Sequence, residues 1–150
     1  MQLVPLAGLR RRLDGYQSLD VDLEPQIRDV LVTRKFMSET YGGSPQPLYP
    51  SISEAKRAAM GGHQHKFAFP TLKRNPEAPL MPGQPGLLCR ALSTVPWGNE
   101  EIKLIVGIGE AMWGYMGNYV TTKTDSLTKE EWVSLPEHVR YTPYAPWFAH

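Results

Sequence analysis

The sequence predicts an α+β domain: a small, bent, mainly antiparallel sheet, able to close part-way into a barrel and flanked by short helices. Three observations predict it. The alternating, β-branched run Ile102-Lys103-Leu104-Ile105-Val106-Gly107-Ile108 meets Met112-Trp113-Gly114-Tyr115-Met116-Gly117-Asn118-Tyr119-Val120 across a short glycine-containing loop, which is the pattern of an antiparallel hairpin. Short segments with helix-capping residues stand before the hairpin and after it. The 14 prolines and 13 glycines leave long irregular connections between short elements. Helices, then sheet, then helix is the order of an α+β fold.

Composition bounds the function. At 150 residues the chain is long enough for one sizeable core, with residues 1–24 reading as an N-terminal arm and 25–150 as a single domain. A net charge of +1 argues against a strongly electrostatic nucleic-acid binder. The halves differ, however: residues 1–75 carry 11 Lys+Arg against 7 Asp+Glu, and residues 76–150 carry 5 against 8. That allows a basic patch in the first half. The lone Cys89 excludes a disulfide within these residues and suits a reducing compartment. No apolar run approaches the ~20 residues of a membrane span. The first residues place their basic cluster after the apolar part, the reverse of a secretory signal. The expectation is a nuclear or cytoplasmic protein with no membrane partner.

Taken in order, Arg10-Arg11-Arg12 lies in a polar arm and reads as a solvated segment or, more sharply, as a phosphate-contacting or targeting cluster. Residues 25–32 fit helix or strand. Thr33 caps a helix over 34–41, which Gly42-Gly43 closes. Ser51-Ile52-Ser53-Glu54 has capping-box spacing and starts a second short helix ending at Gly61-Gly62. Two Pro-Gly turns at 82–86 feed a short apolar strand, Leu87-Leu88-Cys89, in which the thiol reads as buried and structural. Residues 92–99 read as a loop with Trp97 at its tip. Thr128 and Glu131 form a capping box, with Leu127 placed to staple onto Trp132. Ser134-Leu135-Pro136-Glu137 repeats the spacing for one more turn, and the aromatic, proline-rich residues 141–150 read as packed down.

Several spaced motifs belong together: Phe36-Met37, Tyr41-Gly42-Gly43-Ser44-Pro45-Gln46, Pro82-Gly83-Gln84-Pro85-Gly86-Leu87-Leu88, Trp113-Gly114-Tyr115-Met116-Gly117-Asn118-Tyr119 and Leu127-Thr128-Lys129-Glu130-Glu131-Trp132. Over about residues 34–141 the chain resembles a domain of unknown function common in mushroom-forming fungi, often the C-terminal part of longer proteins. The resemblance implies no established activity and no catalytic residue, and it points away from familiar enzyme superfamilies.

With its turn centred on Glu110, the hairpin puts Ile102, Leu104, Val106 and Ile108 on one face with Met112, Gly114 and Met116. The other face carries Lys103, Ile105 and Gly107 opposite Trp113, Tyr115, Gly117 and Tyr119. That face is either a second core or a slot for a flat ligand, with Trp97 closing it from its loop and Lys103 offering a charge. A stacked base gains about 1–3 kcal/mol per contact. His63-Gln64-His65 has the spacing of a metal pair but no further ligand nearby, so no metal and no cofactor is expected. Gly107-Ile108-Gly109-Glu110-Ala111-Met112 begins like a dinucleotide fingerprint and lacks the third glycine and the βαβ setting. No nucleophile has a local base. No catalytic constellation is identified, so the residues favour a binding module over an enzyme. A nucleic-acid binder, with DNA and a modified or flipped base as its target, would use Trp97, Lys103, Trp113, Tyr115 and Tyr119 for the base. Arg34, Lys35, Lys56, Arg57, Lys73 and Arg74 would contact phosphates. The alternative is a protein-interaction module using the aromatic, proline-rich surface.

Overall fold

A computed structural model describes residues 7–63, 65–88 and 97–140. Cys89, the loop from 92 to 96 and the tail from 141 to 150 lie outside them, so the expectations for those residues stop here. Among the described residues are six short helices and four strands. The strands form one curled mixed sheet, a half-barrel, in the order β1 (Leu31–Val32), β4 (Met112–Val120), β3 (Glu101–Gly109), β2 (Phe67–Ala68). The α+β expectation holds. The mainly antiparallel sheet is mixed because β2 runs parallel to β3, while β1–β4 and β3–β4 are antiparallel.

The hairpin sets the architecture, and its register explains both cores. Gly107, Val106 and Ile105 pair with Trp113, Gly114 and Tyr115, as a turn centred on Glu110 requires. Between Ile105 and Leu104 the pairing then slips by one, and Met116 is left without a partner. Gly117, next to it, takes φ +108°, a conformation that costs glycine little. A second irregularity leaves Ile108 unpaired between Gly107 and Gly109. Bulges of this kind bend a strand and raise its twist, so two in one hairpin curl the sheet.

Each face of the sheet carries its own core. Ile102, Leu104, Val106 and Met116 pack with Ala68 and Ala78 on one side. Ile105 packs on the other with Phe67, Phe69 and Met37, the last from α3 (Arg34–Tyr41). The Thr33 hydroxyl caps α3 by accepting from the Phe36 N–H at 3.0 Å, and Gly42 and Gly43 close it at φ +93° and +80°. The ambiguous stretch before it resolves into both forms, α2 (Pro25–Arg28) and then β1.

Two local expectations are corrected. The helix α4 (Glu54–Ala59) is capped by Ser53, which accepts from the Lys56 N–H at 3.2 Å, and not by Ser51. Keeping residue 52 outside the helix lets Ile52 pack against the Met37–Phe67 core. Leu87 and Leu88 form no strand. Leu87 donates its N–H to the Glu77 carbonyl at 2.8 Å instead, and the two side chains pack into different clusters.

The arm is tied down. Leu9, in α1 (Ala7–Arg10), is buried with Leu135 and Val139, and Leu127 and Trp132 pack around them. Arg12 follows in a single 3-10 turn (Arg11–Leu13) with its side chain only 3% exposed. It forks onto Glu131 at 2.5 and 3.1 Å and also reaches the Asp125 and Ser126 carbonyls. Arg10 pairs with Glu77, and Arg11 with Glu131. The arginine cluster read as solvated or phosphate-contacting therefore staples the arm to α5 (Lys129–Ser134). In α5 the expected capping box is complete: the Glu131 N–H donates to the Thr128 hydroxyl at 3.1 Å, and the Glu131 carboxylate accepts from the Thr128 N–H at 3.4 Å. The last helix, α6 (Glu137–Arg140), follows one turn later.

Candidate functional site

The half-barrel leaves an open cleft of about 590 Å³ beside the hairpin tip. Four separate segments build it, one of them the loop that supplies Pro45, Gln46 and Leu48. The first is the hairpin itself, which contributes residues 107–110 and Trp113. Gly107 is buried and has no side chain, so the Trp113 ring lies across it: a Cβ built there would sit 3.0–3.1 Å from three adjacent atoms of the six-membered ring at once. Near-equal distances to three adjacent ring atoms place that point over the ring face. Phe69 meets the same indole edge-on, with centroids 5.8 Å apart and planes at 79°.

The second segment runs on from β2. Beyond Ala68 the chain stays alongside β3, with the Gly107 N–H donating to the Pro70 carbonyl at 2.8 Å and the Leu72 N–H to the Gly107 carbonyl at 3.0 Å. A turn at 71–75 follows, in which the Asn75 N–H donates to the Thr71 carbonyl at 2.8 Å. This parallel track delivers Lys73 and Arg74, both exposed, to the cleft.

The third segment is the start of α3. The Arg34 guanidinium lies 3.9 Å from the centre of the Phe69 ring and 5.4 Å from that of Trp113, both within cation–π reach. It donates to the Ser44 and Pro47 carbonyls at 3.1 and 3.0 Å, which pins the neighbouring loop. Burial lowers its pKa to about 10, so it remains a cation at neutral pH with part of its water shell removed. It also stands at a helix N-terminus, where the macrodipole already disfavours positive charge, and the first turn contains no acidic residue. Among the described residues, none of Arg34, Lys73 and Arg74 forms an ion pair. One carboxylate, Glu110, shares the lining with these three cations.

The structure divides the residues expected at the site. It brings together Trp113, Arg34, Lys73 and Arg74. It does not bring in Tyr119, which the slip at Met116 turns to the opposite face, where it packs on the Ile102–Val106 cluster and donates its hydroxyl to the Gln84 carbonyl at 2.9 Å. The common side expected for Trp113 and Tyr119 is thereby corrected. Trp97 packs on that same opposite cluster, edge-on to Tyr49 at 6.0 Å, and so does not close the slot. Tyr115 is 49% exposed and donates to the Asn118 side chain at 2.8 Å, outside the cleft. Lys103 pairs with Phe67 and Asn118, four residues and about 13 Å along the strand from Gly107. Lys35 pairs with Glu39 at 3.8 Å, and Lys56 donates to the Glu39 carbonyl at 3.2 Å; neither these two nor Arg57 lines the cleft.

Two residues escaped the sequence reading. Phe69, which carries Arg34, has no signal in the sequence beyond its place in the apolar run Phe67-Ala68-Phe69-Pro70. Glu110 was read as a turn residue alone. For the histidines, His65 stacks on Phe67 at 5.5 Å and 12°, with Tyr41 edge-on at 5.0 Å. No group of three or more His, Cys, Asp or Glu that could hold a metal occurs among the described residues. No described helix is long and apolar enough to cross a membrane.

Neither a curated protein nor a solved structure matches the chain. A family model does. It begins at β1, leaves the arm outside, and encloses every residue of the cleft. That match, to the domain of unknown function DUF6697 over residues 31–147, places the chain in the DUF6697 family.

Proposed function

We propose that this domain binds nucleic acid through the cleft at the hairpin tip, stacking a base on Trp113 and holding flanking phosphates with Arg34, Lys73 and Arg74. One observation carries the reading: three cations with no ion-pair partner among the described residues converge from two remote segments on a cleft floored by an indole. A half-buried guanidinium with no ion pair among the described residues favours an anion, and the planar indole offers a stacking surface that any base can use. Phosphate next to a base is the chemistry that satisfies both. Stacking alone tolerates substituents, so the reading extends to a modified base, with DNA proposed as the target.

The test is fluorescence anisotropy with labelled single- and double-stranded oligonucleotides of DNA and RNA, and with a labelled mononucleotide, over a range of salt. Binding is expected to fall steeply with salt, and Lys73→Ala/Arg74→Ala is expected to flatten the slope by about two units. Lys35→Ala, outside the cleft, should leave the slope unchanged. A tighter mononucleotide than oligonucleotide would move the reading to a small nucleotide ligand. No binding by the folded wild type at low salt would overturn it in favour of a protein partner.

A further inference from the structure

We propose that the hairpin tip is a wedge: Ile108 and Met112 enter the base stack of a duplex, and the base they displace turns into the cleft against Trp113. The inference rests on the reading of the cleft above and adds the route by which a base reaches it. Alternation along β3 should place Ile108 inside with Ile102, Leu104 and Val106, which are 1%, 3% and 0% exposed. At the irregularity between Gly107 and Gly109 it is instead 42% exposed and lies on the wall of the cleft. Bulges beside functional sites commonly re-aim one side chain in this way. Met112, directly across the two-residue turn, is 43% exposed and lies over Gly109, where a Cβ would meet its terminal methyl.

Two part-exposed apolar side chains thus flank the turn, and the neighbouring cleft is lined by three cations. Proteins that unstack duplexes insert isoleucine, methionine, leucine or phenylalanine between base steps while cations hold the backbone. The removed base then needs a stacking surface close to the wedge, and Trp113 follows Met112 directly in sequence. Glu110, at the turn, repels phosphate, but its carboxylate can accept a hydrogen bond from the exocyclic amino group of cytosine or adenine. The tip would therefore face bases, with Arg34, Lys73 and Arg74 facing the backbone.

The experiment uses the whole chain and duplexes carrying 2-aminopurine beside a central base that is either paired or mispaired, so that the reporter loses its stacking neighbour without itself stacking on the indole. Wild type is expected to raise the 2-aminopurine fluorescence and to bind the mispaired duplex about tenfold tighter or more, because that base is already partly released. Ile108→Ser/Met112→Ser changes only exposed side chains, and its fold is checked by thermal unfolding. It should lose both the fluorescence rise and the preference for the mispair, and Met112→Ser alone, outside the cleft lining, should weaken both while keeping its single-strand affinity. Duplex binding by wild type with no fluorescence rise and no preference for the mispair would overturn the wedge and leave the cleft reading standing. Absence of binding to single and double strands alike would overturn both.

Discussion

At the residue scale, Gly107 decides whether the cleft has a floor. Its missing side chain lets the Trp113 ring lie flat, and the nearest ring atoms would stand only 3.0 Å from an added methyl. Gly107→Ala should push the indole off its seat and cost about 1–3 kcal/mol through overpacking. A near-UV circular dichroism spectrum that changes together with the unfolding midpoint would show it; an unchanged spectrum would mean the ring is not held there. Glu131 makes a second prediction at this scale. The hydrogen bond from Arg12 lowers its pKa to about 2 from a starting value of 4.5. A carboxyl depressed by folding stabilises the fold above the unfolded value and stops doing so as pH falls through the folded one. The tie between arm and α5 should therefore be intact above about pH 4.5 and weaken between 4.5 and about 2. Acid titration of wild type and Glu131→Gln should differ in that window, with the variant flatter; parallel curves would contradict it.

At the scale of elements, local chemistry was legible and pairing partners were not. The Thr33 and Thr128 caps, the Gly42-Gly43 stop and the hairpin strands could be read because each depends on residues within one or two turns of the chain. Thr128→Ala should lower stability by about 0.5–2 kcal/mol, since it removes the acceptor for the Glu131 N–H. Chemical denaturation checks this, and a loss below that range would make the cap dispensable. The cap of α4 was misplaced by two residues because Ser51 and Ser53 both suit the position, and the choice falls to where Ile52 packs. The slip at Met116 was invisible because a bulge has no signal beyond a glycine, and Gly117 reads equally well as room for a ligand. Its role is testable: nothing lies within 4 Å of an added Cβ, so Gly117→Ala pays only for φ +108°. That should destabilise by about 1–3 kcal/mol. A neutral substitution would show that the strand can re-register without the bulge.

At the scale of the whole molecule, the α+β class and half-barrel followed from element order, but the site depends on contacts remote in sequence. Arg34 meets Phe69 across 35 positions, and Lys73 and Arg74 reach the hairpin only because the chain after β2 tracks β3 in parallel. No local pattern announces such a track. Trp113 was legible as a candidate because it faces a glycine across the hairpin. Tyr119, equally aromatic, went to the opposite core once the bulge reversed the face, and Trp97, ahead of β3, packs on that core too. The central claim is that the cleft at the hairpin tip, and no other aromatic surface, receives a base. Photocrosslinking of an oligonucleotide carrying 5-iodouracil, followed by mass mapping of the crosslinked peptide, tests it most directly. The account predicts a crosslink at Trp113 that is lost in Lys73→Ala/Arg74→Ala at moderate salt. Crosslinks at Trp97, Tyr115 or Tyr119 in place of Trp113 would contradict it.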